Sequence, residues 1–240
     1  CPPWKFRAQE IKHDKSKKTI YYKNAWLDIY DKPVIYFPKF FHPDPTVNRQ
    51  SGFLMPRFES SSSLGDSFSV PYFKVISESK DLTFSPKIFG DNEVLVQNEY
   101  RQENKNLSHI SDISLKRKES NSKTHFFSNT LANLDLSFFE SSELEINFET
   151  TSDDNYLKSH KIKSDITNNN SLLNSFLLIK GNNKDLYFET KVEAYEDLTK
   201  ENSGDKYQYL LPSFEISKSY NNNFSLVSNG YHKNYDTDIF

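Results

Sequence analysis

Cysteine, glycine and long apolar runs are all scarce in this 240-residue chain, and each scarcity closes a class of function. The single cysteine is Cys1, so there is no cysteine pair for an internal disulfide framework or a zinc site. A lone cysteine at a chain end also argues against a thiol nucleophile. With only 6 glycines there is no glycine-rich phosphate loop and no serine elbow, and asparagine is expected to fill many turns that need positive φ. No apolar run approaches the ~18 residues of a membrane helix, which leaves membrane β-barrels untouched because their strands give no hydropathy peak. The formal net charge is −3, so nothing points to a nucleic-acid partner. The six histidines (His13, His42, His109, His125, His160 and His232) form no metal spacing with one another or with the cysteine, and read as surface or loop residues. Neither an enzyme, a cofactor nor a metal is expected. Cys1 leaves three readings open: a free thiol, the acylated start of a lipoprotein, or half of a disulfide whose partner lies outside the chain.

Aromatic residues are what the chain has in quantity. They make up 15% of it, with 20 Phe and 14 Tyr, against a hydrophobic content of only 35% and a mean hydropathy of −0.75. So many aromatics exclude wholesale disorder, and the combination suits sheets with one apolar and one polar face. Residues 4–11, 19–30 and 33–40 read as short strands separated by the charged turn 13–18 and by Asp31-Lys32, as at the end of a β-sandwich or jelly roll. Beyond Ser51 the alternation lengthens. Leu82, Phe84, Pro86 and Ile88 oppose Asp81, Thr83, Ser85 and Lys87. Val94, Val96 and Tyr100 oppose Gln97, Glu99 and Arg101, with Leu95 and Asn98 blurring the pattern. Leu144, Ile146 and Phe148 oppose Glu143, Glu145, Asn147 and Glu149, and 185–194 repeats the scheme. A period of two places each set on one face. Segments of about ten residues match a tilted bilayer crossing better than the five or six of soluble strands. The mixed charges of the polar face fit a wet lumen rather than a packed core. Residues 152–165 are weakly patterned and read as an extracellular loop with room for a short helix.

Two prolines, Pro56 and Pro71, stand inside what otherwise look like consecutive strands. Proline cannot donate to a ladder, so the pair marks a seam with fewer hydrogen bonds, or else bulges and strand ends. Around them the order of residues resembles the LptD (OstA/Imp) family of outer-membrane lipopolysaccharide-assembly proteins. Cys1, Trp4, Ala8, Glu10, Ile11, His13 and Asp14 follow the family's segment at the end of its periplasmic jelly roll. Asn24-Ala25, then Pro33, Val34, Tyr36, Pro38 and Phe40, then His42-Pro43-Asp44 continue it. Arg49, Ser51, Gly52, Phe53, Leu54 and Pro56 match the opening of the barrel, and Pro71-Tyr72-Phe73 its second strand. Asp81, Thr83, Ser85 and Pro86, and then Glu99, Tyr100 and Arg101, complete the run. The resemblance covers roughly the first hundred residues; beyond them only the rhythm matches.

The resemblance implies an internal piece of an all-β protein. Residues 1–45 would be the C-terminal strands of a periplasmic jelly roll. Residues 46–240 would be the N-terminal antiparallel strands of a large outer-membrane β-barrel, roughly ten of them and incomplete here. It implies transport of lipopolysaccharide into the outer leaflet through a lateral gate between the first and last barrel strands, with Gly52, Phe53, Pro56 and Pro71 at the gate. Lys87 and Arg101 become lumen cations able to meet the lipid's phosphates. Cys1 becomes one end of a disulfide to cysteines outside the chain. The expected partners are lipopolysaccharide, an LptE-like plug lipoprotein and an LptA-like periplasmic bridge protein, with the N-terminal part in the periplasm. The alternatives are another outer-membrane barrel, a porin or receptor, or a soluble extracellular β-sandwich binding module.

Overall fold

A computed structural model of the chain describes residues 4–47, 49–61, 64–90, 93–118, 121–167, 169–200, 206–221 and 224–235. Cys1 lies outside the described residues. The chain divides into two compact units, Cys1–Gly52 and Phe53–Phe240.

The first unit is a three-stranded antiparallel sheet of β1 (Trp4–Asp14), β2 (Thr19–Ile29) and β3 (Lys32–Pro43), in that order. The Asp14 carboxylate closes the first turn by accepting from the backbone N–H groups of Ser16 and Lys17. The second turn centres on Tyr30 and Asp31, one residue earlier than expected. Both have positive φ, 47° and 62°, the backbone of a two-residue hairpin whose twist matches its strands. The Asn24-Ala25 pair has a local cause. Asn24 stands at φ 49° as an unpaired residue in β2, a conformation asparagine tolerates better than most. Its side chain donates to Gln9 Oε1 and accepts from the Tyr36 hydroxyl. Ala25 beside it is fully buried. Phe6 stacks on Phe40 at 5.2 Å, and Tyr22 packs against Phe40.

The second unit is one antiparallel sheet. It opens with β4 (Gly52–Phe53) and β5 (Arg57–Ser61), then β6 (Gly65–Ser69) and β7 (Tyr72–Ser77). It continues through β8 (Lys80–Phe89), β9 (Val94–Asn104), β10 (Leu107–Lys118), β11 (Asn121–Asn133) and β12 (Ser141–Thr151). The helix α1 (Tyr156–Ser159) precedes β13 (Leu172–Asn182), β14 (Leu186–Asp197), β15 (Tyr207–Asn221) and β16 (Phe224–Tyr235). Each long strand pairs with its sequence neighbour, so the order is a plain meander. Among the described residues the sheet is open, ending at β5 on one side and β16 on the other. From β8 to β16 the strands run 10 to 15 residues, the reach of a bilayer crossing. The polar and charged residues 101–104 and 116–118 continue the strands, and the turns between them are tight.

The two faces differ as the alternation predicts. Ile88, Ile113, Leu115, Phe126, Phe148 and Ile216 leave large apolar groups exposed on one face. Asp81, Asp112, Ser114, Asn147 and Glu149 are buried on the other. An exposed apolar face over so many strands is what lipid-facing sheets present. The polar face is not uniformly wet, contrary to the sequence reading. The segment after β12 folds back over it, and Tyr156, Leu157 and Ile162 pack with Phe89, Leu95 and Phe127, joined by Leu173 and Leu198.

Candidate functional site

The prolines interrupt the first two strands of the larger sheet side by side. β4 and β5 are the halves of one strand, separated by Leu54, Met55 and Pro56; β6 and β7 are the halves of the next, separated by Val70 and Pro71. β4 pairs with β7 and β5 with β6. β8 spans both halves, its Tyr72↔Phe84 end on β7 and its Ser69↔Lys87 end on β6. Across the break the Leu54 N–H donates to the Pro71 carbonyl at 2.8 Å. Proline supplies no N–H, so each strand loses one ladder donor at the same level. Phe53, highly exposed, packs edge-to-face on Tyr72 at 5.1 Å.

Beside the break, on the polar face, lies a cavity of about 600 Å³. Pro71, Lys87 and Arg101, all singled out from sequence, line it together; Gly52, Phe53 and Pro56 are not among its walls. Lys87 is mostly buried, paired with Glu59 at 2.5 Å and within 3.5 Å of the His160 carbonyl. Arg101 donates to Asp81 at 2.9 Å and reaches Glu99 at 3.5 Å. Sequence reasoning missed Arg57 and Glu59 on β5 and Lys161, Lys163 and Asp165 on the returning loop, which complete the walls.

The loop is held by a buried network. His160 Nε2 lies 2.6 Å from Glu93 Oε1, and Lys116 Nζ 3.0 Å from Glu93 Oε2, with all three residues buried. The Tyr156 hydroxyl meets Ser114 Oγ at 2.7 Å. Burial pushes the Tyr156 phenol up to about 12, so it keeps its proton. Asp153 at the loop's start pairs with Lys123 at 2.8 Å. Gln97 donates to the Lys163 carbonyl, and Lys161 to the Ser60 carbonyl. His125 and His160, read from sequence as surface or loop histidines, are thus buried members of this network.

Ser114, His125 and Asp112 have the residue types of a nucleophile, base and orienting acid. Their arrangement does not suit that chemistry. All three are fully buried, His125 turns Nδ1 toward Ser114 at 2.5 Å, and its Nε2 stands 3.4 Å from Asp112 without a hydrogen-bond partner. Ser114 is committed to the loop through Tyr156.

No family model matches the chain. The LPS-assembly protein LptD of Idiomarina loihiensis is 30% identical over 166 residues, 65% of this chain and 21% of that protein. LptD of Francisella tularensis subsp. novicida is 33% identical over 98 residues, 41% of this chain and 11% of the relative. LptD of Shewanella sp. (strain MR-4) is 34% identical over 105 residues, covering 42% and 14%. These matches support reading the chain as similar to a piece of an LptD-family protein. The chain spans about a fifth or less of the length of these LptD relatives.

Proposed function

We propose that this chain works in lipopolysaccharide transport and assembly at the outer membrane; the relatives it resembles are named LPS-assembly proteins. In this reading residues 1–45 belong to a periplasmic jelly roll and residues 46–240 to the N-terminal part of a transmembrane barrel. The seam where the first barrel strand meets the last, with Gly52, Phe53, Pro56 and Pro71 at it, is a lateral gate. Acyl chains leave sideways there while sugars and phosphates stay on the polar face beside Lys87 and Arg101. Cys1 pairs with a cysteine elsewhere in the protein, and an LptE-like lipoprotein and an LptA-like bridge protein are its partners.

The observation that carries the reading is the coincidence of the two strand breaks at one level of the sheet, above a cavity on the polar face. A net hydrogen bond contributes about 0.5–1.5 kcal/mol. Two missing donors therefore take roughly 1–3 kcal/mol of pairing from this edge of the sheet, which eases its distortion at the seam. A porin needs no such paired interruption.

The test is in-cell photocrosslinking in the protein as the cell makes it. A photoreactive residue replaces Phe53 or Val70, with Phe188 as the distant control. Lipopolysaccharide adducts at the first two and none at the third are expected. An absence of adducts from all three, in protein recovered from the outer membrane, would refute the gate.

A further inference from the structure

The cavity at the strand break is more cationic than its pairing accounts for. Lys87 is neutralised by Glu59, and Arg101 by Asp81 and Glu99. Lys161 gives its ammonium to the Ser60 carbonyl at 3.2 Å, which bonds the group without cancelling its charge. Arg57 and Lys163 make no close ion pair among the described residues; the charges of Lys161 and Lys163 act on Glu59 at longer range, and Asp165 acts on Arg101. Five cations, Arg57, Lys87, Arg101, Lys161 and Lys163, thus meet four carboxylates, Glu59, Asp81, Glu99 and Asp165, which leaves a net positive charge of one around a space of about 600 Å³. The wall toward the break is apolar, made by Leu54, Pro71 and Phe73. Cations on one side and an apolar wall beside an interrupted strand pair are complementary to a phosphorylated amphiphile. Its anionic head bonds the cations and its acyl chains meet the break.

We propose that the loop after β12 completes a phosphate-monoester seat at this cavity, Lys161 and Lys163 on the loop acting with Arg57 on β5. The proposal rests on the reading above and deepens it by naming the headgroup chemistry that the seam admits and the element that supplies it. Two of the three cations stand on the loop directly after His160. The seat therefore exists only while the loop stays docked, and the contact of His160 with Glu93 is one of the bonds that hold it there. The loop then acts as half of a binding site, and its release would weaken the lipid's hold at the gate.

The experiment uses the full-length protein in nanodiscs with a benzophenone at Phe73, on the cavity wall. The probes are bisphosphorylated lipid A, the same lipid after enzymatic removal of both phosphates, and inorganic phosphate as competitor. Adduct yield is expected to fall roughly tenfold on dephosphorylation, and by a similar factor in Arg57→Gln/Lys163→Gln, two modest ionic contacts acting together. Lys163→Arg in place of Lys163→Gln should restore most of the yield, and heat-modifiable mobility on gels checks that each variant folds. Equal yields with and without lipid phosphates would overturn the seat, as would competition by inorganic phosphate below about 1 mM, which assigns the site to a free small anion. A second benzophenone at Phe53 separates the two levels. Lipid adducts at Phe53 with no charge dependence at Phe73 sink the seat and spare the gate; none at either position sinks both.

Discussion

Glu93→Gln isolates what fastens the loop. Glu93 holds Lys116 at 3.0 Å and His160 at 2.6 Å, and is the only ion-pair partner of Lys116 among the described residues. Glutamine keeps an oxygen for His160 but leaves the Lys116 ammonium buried without a counter-charge. Breaking one side of a buried pair costs about 3–5 kcal/mol. Lysine relieves part of this by giving up its proton, which leaves about 2–3 kcal/mol. The loop's apolar anchors, Tyr156, Leu157 and Ile162, contribute roughly 1.5–3 kcal/mol each as an upper bound, so it still docks but opens more often. Hydrogen exchange of peptides covering 156–162, in the full-length protein in nanodiscs, should quicken roughly 30- to 150-fold. Exchange in β14, far from the network, should not change. Glu93→Gln/Lys116→Met removes both charges and should return the loop to within about 1 kcal/mol of the parent, since a buried pair replaced whole is often neutral. Unchanged exchange in Glu93→Gln would refute the latch. A double variant as open as the single would show that the carboxylate matters for some reason other than Lys116.

Three further outcomes follow from other contacts. Pro56→Ala and Pro71→Ala each return a ladder donor, worth about 0.5–1.5 kcal/mol; combined, they should lower lipopolysaccharide adducts at Phe53 and raise sensitivity to large antibiotics, measured by growth inhibition. Gly181→Ala places a methyl 2.8 Å from the Phe139 ring, so it should destabilise the 134–140 turn by about 1–3 kcal/mol, read as faster exchange there, and Phe139→Ala should suppress the effect. Asn24→Val forces a β-branched residue to φ 49° and should loosen β2 by about 1–3 kcal/mol. Asn24→Gly should lose only the Gln9 and Tyr36 bonds, and comparative exchange over 19–29 tells the two apart.

The strands were legible because alternation is a local property. Leu144, Ile146 and Phe148 against Glu143, Glu145 and Glu149 name the two faces without any partner in view. The prolines were legible for the same reason, since a missing N–H can be read from one residue, and the structure sets both in breaks of neighbouring strands. What could not be read was anything joining distant segments. Leu95 blurred an otherwise clean alternation; it is buried on the polar face because Leu157 and Ile162 arrive from more than sixty positions later in the chain. His160 looked like one more loop histidine, and its partner Glu93 is 67 positions away. Arg57 and Lys163 drew no attention, because an isolated cation on a strand or in a loop is ordinary until a fold puts the two around one cavity. A signal was nonetheless present. Phe89, Leu95 and Phe127 all fall on the face where alternation demands polar residues, and 152–165 carries Tyr156, Leu157 and Ile162 within a hydrophilic stretch. Apolar residues out of phase in neighbouring strands need a cover, and an apolar trio in a long loop needs a surface. Matching the two would have predicted that the loop folds inward. It also explains why the charges of the cavity come from both sides: the same docking that hides the apolar trio carries Lys161 and Lys163 to the strand break.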